Sequence, residues 1–142
     1  QVPTGPGRTS LAKGEVISAI TLPPRGKNGG DAYLRFIPRT EMDIAVVGCA
    51  VNLRLEGDKV VEARVALGAV APTVILSEAA AQAIIGTTLD DAALAALAKA
   101  AEGAAKPISD KRGTKEFRID VVGVLARRAA KIAYDRAKGL KA

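Results

Sequence analysis

The arrangement of apolar and polar residues between positions 47 and 67 predicts a β-hairpin. In two runs, apolar residues alternate with polar or small ones, so that one side of each run is apolar. A period of two is typical of strands that place one face on a core and the other toward water. The apolar positions are Val47, Cys49, Val51, Leu53 and Leu55 in the first run, and Val61, Ala63, Val65 and Leu67 in the second. Gly57 and Asp58 separate the runs and mark the turn of an antiparallel hairpin.

Two shorter segments rich in β-branched or aromatic residues predict further strands. The first covers Glu15 to Leu22 and is followed by two prolines, which cannot continue a hydrogen-bonded strand. The second covers Tyr33 to Ile37. Residues 25–31 between them are polar and glycine-rich, but their glycine spacing matches neither the dinucleotide-binding pattern nor the P-loop pattern. We therefore predict a mobile hairpin loop there.

The second half of the chain predicts three helices, each with a capping side chain at its start. Ser77 is the predicted cap of a short helix that ends near Gly86, Thr88 or Asp90 caps the second helix, and Thr114 caps a long final helix. The predicted apolar stripes are Leu89, Ala93, Leu94, Leu97 and Ala101 on the second helix, and Phe117, Val121, Val124, Leu125, Ile132 and Ala133 on the third.

The predicted strands precede the predicted helices, which indicates an α+β fold. We expect a three- to four-stranded antiparallel sheet packed on one face by three helices. Residues 1–13 are turn-rich and are predicted to be a connecting segment, whereas residues 14–142 form one domain. No apolar run approaches the ~20 residues of a membrane span, so none is expected. A lone cysteine and a first segment unlike a signal peptide favour a cytoplasmic location.

The residue types available for chemistry are few. The chain has no histidine and one cysteine, Cys49, so the commonest general base and the usual zinc and iron–sulfur ligand sets are missing. Cys49 lies in a Val- and Ala-rich segment and is expected to be an inert core thiol. The adjacent Asp90 and Asp91 are most simply explained as helix-cap residues. We therefore predict no catalytic residue and no metal site, and the isolated chain is not expected to be catalytic by itself.

The charge of the chain leaves a binding function open. The formal net charge is +6, from 21 Lys and Arg against 15 Asp and Glu, and aromatic residues make up 3 % of the chain. Scattered cations and scarce aromatic residues do not favour a nucleic-acid-binding protein. The last helix nevertheless concentrates basic residues. An alternative function is therefore a basic interaction module that binds RNA or an acidic protein through that helix.

Two distant charged motifs are more specific than composition. Residues 33–45 have the pattern Tyr-x-basic-Phe-x-x-Arg-x-x-x-Asp-Ile-Ala, and residues 110–118 combine Asp-x-Arg with Phe-Arg. Residues 124–129 then read Val-Leu-Ala-Arg-Arg-Ala. Together with the connecting segment and first predicted strand, these motifs resemble the C-terminal domain of the FAD-binding medium subunit of the molybdenum hydroxylases. This family includes xanthine dehydrogenase and aerobic carbon monoxide dehydrogenase, and the resemblance covers essentially the whole chain.

The resemblance implies a role beside a flavin. In this family FAD receives electrons that began at a molybdenum centre and passed through [2Fe-2S] clusters, and the subunit delivers them to an acceptor. Most FAD contacts are expected from N-terminal FAD-binding domains of the same subunit, which precede this domain. The expected partners are those domains, the molybdopterin large subunit and the [2Fe-2S] small subunit. The chain would help to close the flavin site, and no cofactor is expected in the chain alone.

The resemblance also singles out two cofactor-binding residues, Ile17 and Arg35. Ile17 would supply an apolar contact to the flavin, and Arg35 would place a cation near it, at a position where relatives often carry lysine. A structural alternative pairs Arg35 with Asp31 or with Glu41. Two other charged pairs are predicted from spacing to be structural. They are Arg39 with Asp43, and Asp110 with Arg112.

Overall fold

The computed structural model describes residues 2–40 and 42–140, which form six strands and three helices. The strands are β1 (Pro3–Gly5), β2 (Arg8–Thr9), β3 (Gly29–Phe36), β4 (Val47–Glu56), β5 (Lys59–Gly68) and β6 (Ile75–Leu76). The helices are α1 (Glu78–Gln82), α2 (Asp91–Ala104) and α3 (Lys115–Ala137). Strands β3 to β6 form the main antiparallel sheet in the order β3-β4-β5-β6, while β1 and β2 form a separate short ribbon. The predicted α+β fold is confirmed.

The predicted hairpin forms the centre of the main sheet. Val51 on β4 lies opposite Ala32 on β3 and Val65 on β5, so that the apolar positions of neighbouring strands share one face. These side chains are buried beneath the helices. At the start of β5, however, Val60 is buried in place of the predicted Val61, because the register shifts between Arg54 and Leu55. The strand predicted at residues 33–37 is also confirmed, but it begins earlier, at Gly29. Gly29 and Gly30, which were predicted to lie in the loop, pair with β4 instead, whereas Gly26 lies outside the strand.

The three predicted helix caps are confirmed by their hydrogen bonds. The side chain of Ser77 accepts from the backbone N–H of Ala80 at 3.3 Å, and Thr114 accepts from that of Phe117 at 3.2 Å. Asp90, one of the two candidates for the second cap, accepts from the N–H of Ala93 at 2.8 Å. The predicted stripe of α2 is buried as expected.

Helix α3 packs on the sheet through small residues, and its predicted apolar stripe is partly wrong. Phe117 and Val124 are 40 % and 44 % exposed. The buried residues of this helix are Arg118, Val122, Gly123, Leu125, Ala126, Ala129, Ala130, Ala133 and Ala137. An alanine face lets the helix axis approach the sheet closely, so the core side of α3 is chosen by small volume as much as by hydrophobicity.

The strand predicted at Glu15 to Leu22 is wrong. Among the described residues, positions 12–28 form no strand, and the apolar side chains of this segment point into solvent. Val16, Ile20 and Leu22 are between 80 % and 83 % exposed, and Ile17 is 55 % exposed. A β-strand requires a hydrogen-bonded neighbour, and none of the described strands pairs with this segment. The division of the chain at residue 13 stays a prediction.

Candidate functional site

Arg35 lies on β3, at one edge of the main sheet, and its side chain points away from the helices. Alternate residues of β3 face α3, because a Cβ atom on Gly30 would lie 2.6 Å from Ala137 N and Leu34 packs against the core. The intervening residues, including Tyr33 and Arg35, therefore face the opposite side. Within residues 2–40 and 42–140, Arg35 takes part in no hydrogen bond or ion pair.

The predicted partners of Arg35 do not hold it in this structure. Asp31 pairs instead with Arg25, with Arg25 Nη2 and Asp31 Oδ2 at 2.5 Å. Glu41, the other predicted partner, lies outside the described residues. The guanidinium of Arg35 is therefore an exposed cation that the described part of the chain leaves uncompensated.

The sheet face around Arg35 is built from small residues. Across the strands, Arg35 lies opposite Gly48, which lies opposite Gly68, and Ala50 lies between Tyr33 and Ala66. The Tyr33 ring covers Gly48, because a Cβ atom on Gly48 would lie 2.9 Å from Tyr33 Oη. A shallow depression of about 370 Å³ lies on this face beside Tyr33. Its lining includes Leu76 and the polar or charged residues Asp31, Asn52 and Arg64, but not Arg35.

Ile17, the second predicted cofactor contact, lies in the extended segment that carries the exposed apolar side chains. It is less exposed than Val16 or Ile20 but still more than half exposed. Ile17 and Arg35 therefore belong to different elements, the extended segment and the edge strand. Their joint assignment to one flavin surface stays a prediction.

The two charged motifs meet at Asp43. Its Oδ2 atom lies 3.4 Å from Arg39 Nε, and its Oδ1 atom lies 3.7 Å from Arg112 Nε. The predicted Arg39–Asp43 pair is confirmed. Burial acts to raise the pKa of Asp43, but hydrogen bonds from the Arg39 side chain and from the N–H groups of Ile44 and Arg39 outweigh it and lower the pKa below its ordinary value. Asp43 thus fixes the turn before β4 and ties it to the loop before α3.

Asp110 and Arg112 are connected differently from the prediction. The backbone N–H of Arg112 donates to Asp110 Oδ1 at 2.8 Å, while the Arg112 side chain reaches Asp43. The ion-pair partner of Asp110 is Arg118, with Arg118 Nη2 and Asp110 Oδ1 at 2.6 Å. The N–H of Arg112 and the Arg118 side chain together lower the pKa of Asp110.

The sequence does not identify Arg118 as a core residue, because its charge resembles that of the other basic residues on the last helix. It is 4 % exposed and donates to the backbone oxygen of Val46 at 2.9 Å as well as to Asp110. Its Nε atom has no hydrogen-bond partner among the described residues. The one feature of the sequence that pointed to a structural role for Arg118 is its position directly after Phe117 in the second motif. Arg118 therefore connects this motif to the start of β4.

Other candidate chemistry is limited in the described residues. They contain no group of three or more His, Cys, Asp or Glu side chains that could hold a metal ion. Cys49 is buried, and burial raises the pKa of its thiol to about 12, so it stays protonated. No described helix has both the length and the apolar character needed to cross a membrane. On α3, the side chains of Arg127, Arg128 and Lys131 are exposed and form no ion pair with a described residue.

Comparison with known proteins gives a consistent result. Residues 32–133 match the family described as CO dehydrogenase flavoprotein C-terminal domain. The chain is 33 % identical over 137 residues to the xanthine dehydrogenase FAD-binding subunit of Escherichia coli O157:H7, covering 96 % of this chain and 47 % of that protein. It is 38 % identical over 130 residues to the carbon monoxide dehydrogenase medium chain of Afipia carboxidovorans, covering 92 % and 45 %.

Comparison of the three-dimensional structure finds proteins of the same kind as comparison of the sequence. A reconstituted CO dehydrogenase from Oligotropha carboxidovorans contains a chain that superimposes with a TM-score of 0.89 at 35 % identity, over 95 % of this chain and 47 % of that one. The chain thus spans about half the length of the relatives that it matches.

Proposed function

Because this chain belongs to the CO dehydrogenase flavoprotein C-terminal domain family, we propose that it is the C-terminal part of the FAD-binding subunit of a molybdenum hydroxylase and closes one side of the flavin site. The rest of that subunit would hold most of the FAD. A large molybdopterin subunit and a small [2Fe-2S] subunit would be its partners. When bound, FAD supplies the step that passes electrons from the iron–sulfur clusters to an acceptor.

The observation that carries the proposal is the exposed apolar segment at residues 16–22. Four large apolar side chains there are at least 55 % exposed on a stretch that has no strand partner in the described structure. Burying one such side chain fully is worth about 1.5–3 kcal/mol, so the segment strongly favours a covering surface. Because the relatives are about twice as long as this chain, we propose that another part of the same subunit covers the segment.

The residues of the open sheet face fit a flavin ring. Ala50, Ala66 and the Tyr33 ring, which lies over Gly48, give this face a surface on which a planar ring could lie, and Ile17 would add an apolar contact. Arg35 would supply a cation that no described carboxylate neutralises. A positive charge near the flavin N5–O4 edge favours the reduced and more negative flavin. Ile17 and Arg35 are therefore the proposed contacts of this chain to the cofactor.

The role proposed for Arg35 predicts a change in the flavin midpoint potential. In the complete FAD-containing subunit, Arg35→Gln removes the cation and should lower the potential. A unit charge at close range in a partly solvated site contributes about 1–3 kcal/mol. For a two-electron couple this corresponds to roughly 20–65 mV. Arg35→Lys keeps the charge and should restore most of the potential, although the planar guanidinium is lost.

The measurement is a spectroelectrochemical titration of the flavin, with Lys99→Gln as the control. Lys99 is an exposed lysine of α2, outside the sheet face that carries Arg35. Flavin retained with an unchanged potential in Arg35→Gln, or an equal shift in Lys99→Gln, would contradict the assignment. A subunit that binds no flavin at all would contradict the proposed function itself.

The nucleic-acid alternative receives little support from the positions of the cations. Several arginines and a lysine are held by carboxylates of the same chain; they are Arg25, Arg39, Arg54, Arg112, Arg118 and Lys138. The rings of Phe36 and Phe117 pack edge to face on each other, with centroids 5.7 Å apart. They are not splayed as a platform for stacked bases.

A further inference from the structure

The second half of β3 is an open sheet edge. β3 is the first strand of the main sheet, and the backbone oxygen of Phe36 accepts from the N–H of Val46, toward β4. Because backbone groups alternate in direction along an antiparallel strand, those of Asp31, Tyr33 and Arg35 point outward. The Asp31 oxygen accepts from Arg136 Nη1 at 2.8 Å. The outward groups of Tyr33 and Arg35 have no partner among the described residues.

A groove runs beside this open edge. It has a volume of about 500 Å³ and lies between β3 and α3, with Leu34, Arg35 and Phe36 on the strand side and Leu125 and Ile132 on the helix side. Arg128 and Lys131 form its outer rim. The groove therefore combines free backbone hydrogen-bonding groups, an apolar floor and a basic rim.

The basic rim is not neutralised within the described structure. Neither Arg128 nor Lys131 forms an ion pair with a described residue, although Asp135 lies one helical turn after Lys131. Arg127, next to Arg128 and Lys131 on the adjoining surface, is likewise unpaired within the described ranges. Unprotected sheet edges are normally blocked by charge, bulges or covering elements, because they pair readily with other chains. Here the first half of the edge is covered by Arg136 and the second half is open.

We propose that this groove receives a short extended segment of a partner subunit, with acidic residues alternating with apolar ones, which adds as a strand to the edge of β3. The proposal rests on the proposed function, because it names the surface through which the subunit would join its partners. The added strand would bond to the backbone of Tyr33 and Arg35 and place apolar side chains on the groove floor. Its carboxylates would face Arg128 and Lys131.

Charge and geometry favour this occupant over others. A second copy of the same groove would bring two basic rims together, which is unfavourable. The proposed flavin contact uses the Arg35 side chain on the face away from the helices, whereas the docked strand uses its backbone at the edge. The two roles of Arg35 are therefore compatible in one assembly.

Zero-length carbodiimide coupling in the intact multi-subunit enzyme tests the occupant directly. This reagent joins an amine only to a carboxylate that touches it. We expect Lys131 to couple to an Asp or Glu of a different subunit, whereas Lys99, an exposed lysine of α2 outside the groove, should not. Coupling of Lys131 to a residue of its own subunit, or to a second copy of that subunit, would overturn the proposal.

Charge-reversal variants and hydrogen exchange test whether the groove contributes to assembly of the subunits. The double variant Arg128→Glu/Lys131→Glu should weaken assembly at low salt at least ~10-fold, because rim charges steer association. The matched variant Lys99→Glu/Lys106→Glu, also at exposed positions, should assemble normally. In the wild-type enzyme the amides of Tyr33 and Arg35 should exchange more slowly in the assembly than in the free subunit.

The results of these experiments distinguish failure of the docking groove from failure of the proposed function. A flavin-containing complex that assembles with Arg128→Glu/Lys131→Glu unimpaired, without slowed exchange at Tyr33, would overturn the docking groove and leave the proposed function standing. A full-length protein that binds no flavin and joins no other subunit would overturn the proposed function.

Discussion

Replacing Gly30 by alanine drives a methyl group into the backbone of α3. A Cβ atom at this position would lie 2.6 Å from Ala137 N, and closer still to the carbonyl oxygen of Ala133. Ordinary contact begins at 3.4 Å, so the helix would have to recede from β3 by about 1 Å or more. No side-chain rotation can relieve this clash, because the obstructing atoms are backbone.

The expected cost follows from overpacking of a dense core. Forcing extra methylene volume into a well-packed site typically costs about 1–3 kcal/mol, and backbone displacement of a whole helix belongs at the upper end. We therefore expect Gly30→Ala to lose about 3 kcal/mol of unfolding free energy. With a urea m-value of roughly 1–3 kcal/mol/M, the unfolding midpoint should fall by about 1–3 M.

Gly123 provides the matched control. It is buried in the middle of α3, and a Cβ atom there would meet Glu102 Cδ at 2.9 Å and the Glu102 carboxylate more closely. That obstruction is the end of a flexible, half-buried side chain, which can rotate away. Replacing glycine by alanine inside a helix gains about 1 kcal/mol. Gly123→Ala should therefore stay within about 1 kcal/mol of wild type.

The assay is equilibrium urea unfolding followed by circular dichroism and by a tertiary probe. If Gly30→Ala proved as stable as wild type, the close approach of α3 to β3 would be wrong. If both variants lost about 3 kcal/mol, glycine would be required generally in this core, and the distinction between backbone and side-chain obstruction would fail.

Two further predictions concern the charged motifs. Arg118→Met should cost about 2–4 kcal/mol in urea unfolding, because the Val46 carbonyl and Asp110 lose charge-assisted hydrogen bonds; Arg118→Lys should recover only part of this, and full stability in Arg118→Met would refute the role. Asp43→Asn should destabilise the protein at neutral pH. Since the pKa of Asp43 is lowered in the folded state, its contribution is present above the unfolded pKa and is lost as the pH falls through the folded pKa. The difference in stability between wild type and Asp43→Asn should therefore begin to shrink as the pH falls below about 4 and should vanish below the folded pKa. A difference independent of pH would contradict the account.

The parts of the fold that sequence predicted well are those determined locally. The hairpin follows from alternation on either side of Gly57 and Asp58, and the helix starts follow from side chains that bond to backbone N–H groups a few residues away. The segment from Glu15 to Leu22 shows the limit of this reasoning. Its β-branched residues favour an extended backbone, but a strand also needs a neighbour, which local sequence does not specify.

The face of α3 was harder to predict for a different reason. Large apolar side chains such as Phe117 and Val124 were assigned to the core, yet the sheet side of the helix is built from alanine. Close contact with β3 excludes large side chains, as the tight fit at Gly30 shows. Which face of α3 is buried depends on the distance between α3 and β3. The periodicity of neither element predicts that distance.

The charged motifs show the same division between local and distant information. The Arg39–Asp43 pair was predicted because its partners are four residues apart. Arg118 was not predicted to be buried, because its Val46 contact spans 72 positions along the chain. Once these arginines are assigned to structure, the unpaired cations on the described surface near β3 include Arg35, Arg64, Arg127, Arg128 and Lys131. The two proposals use different surfaces of β3: the Arg35 side chain faces the proposed flavin, and the backbone edge faces the proposed partner.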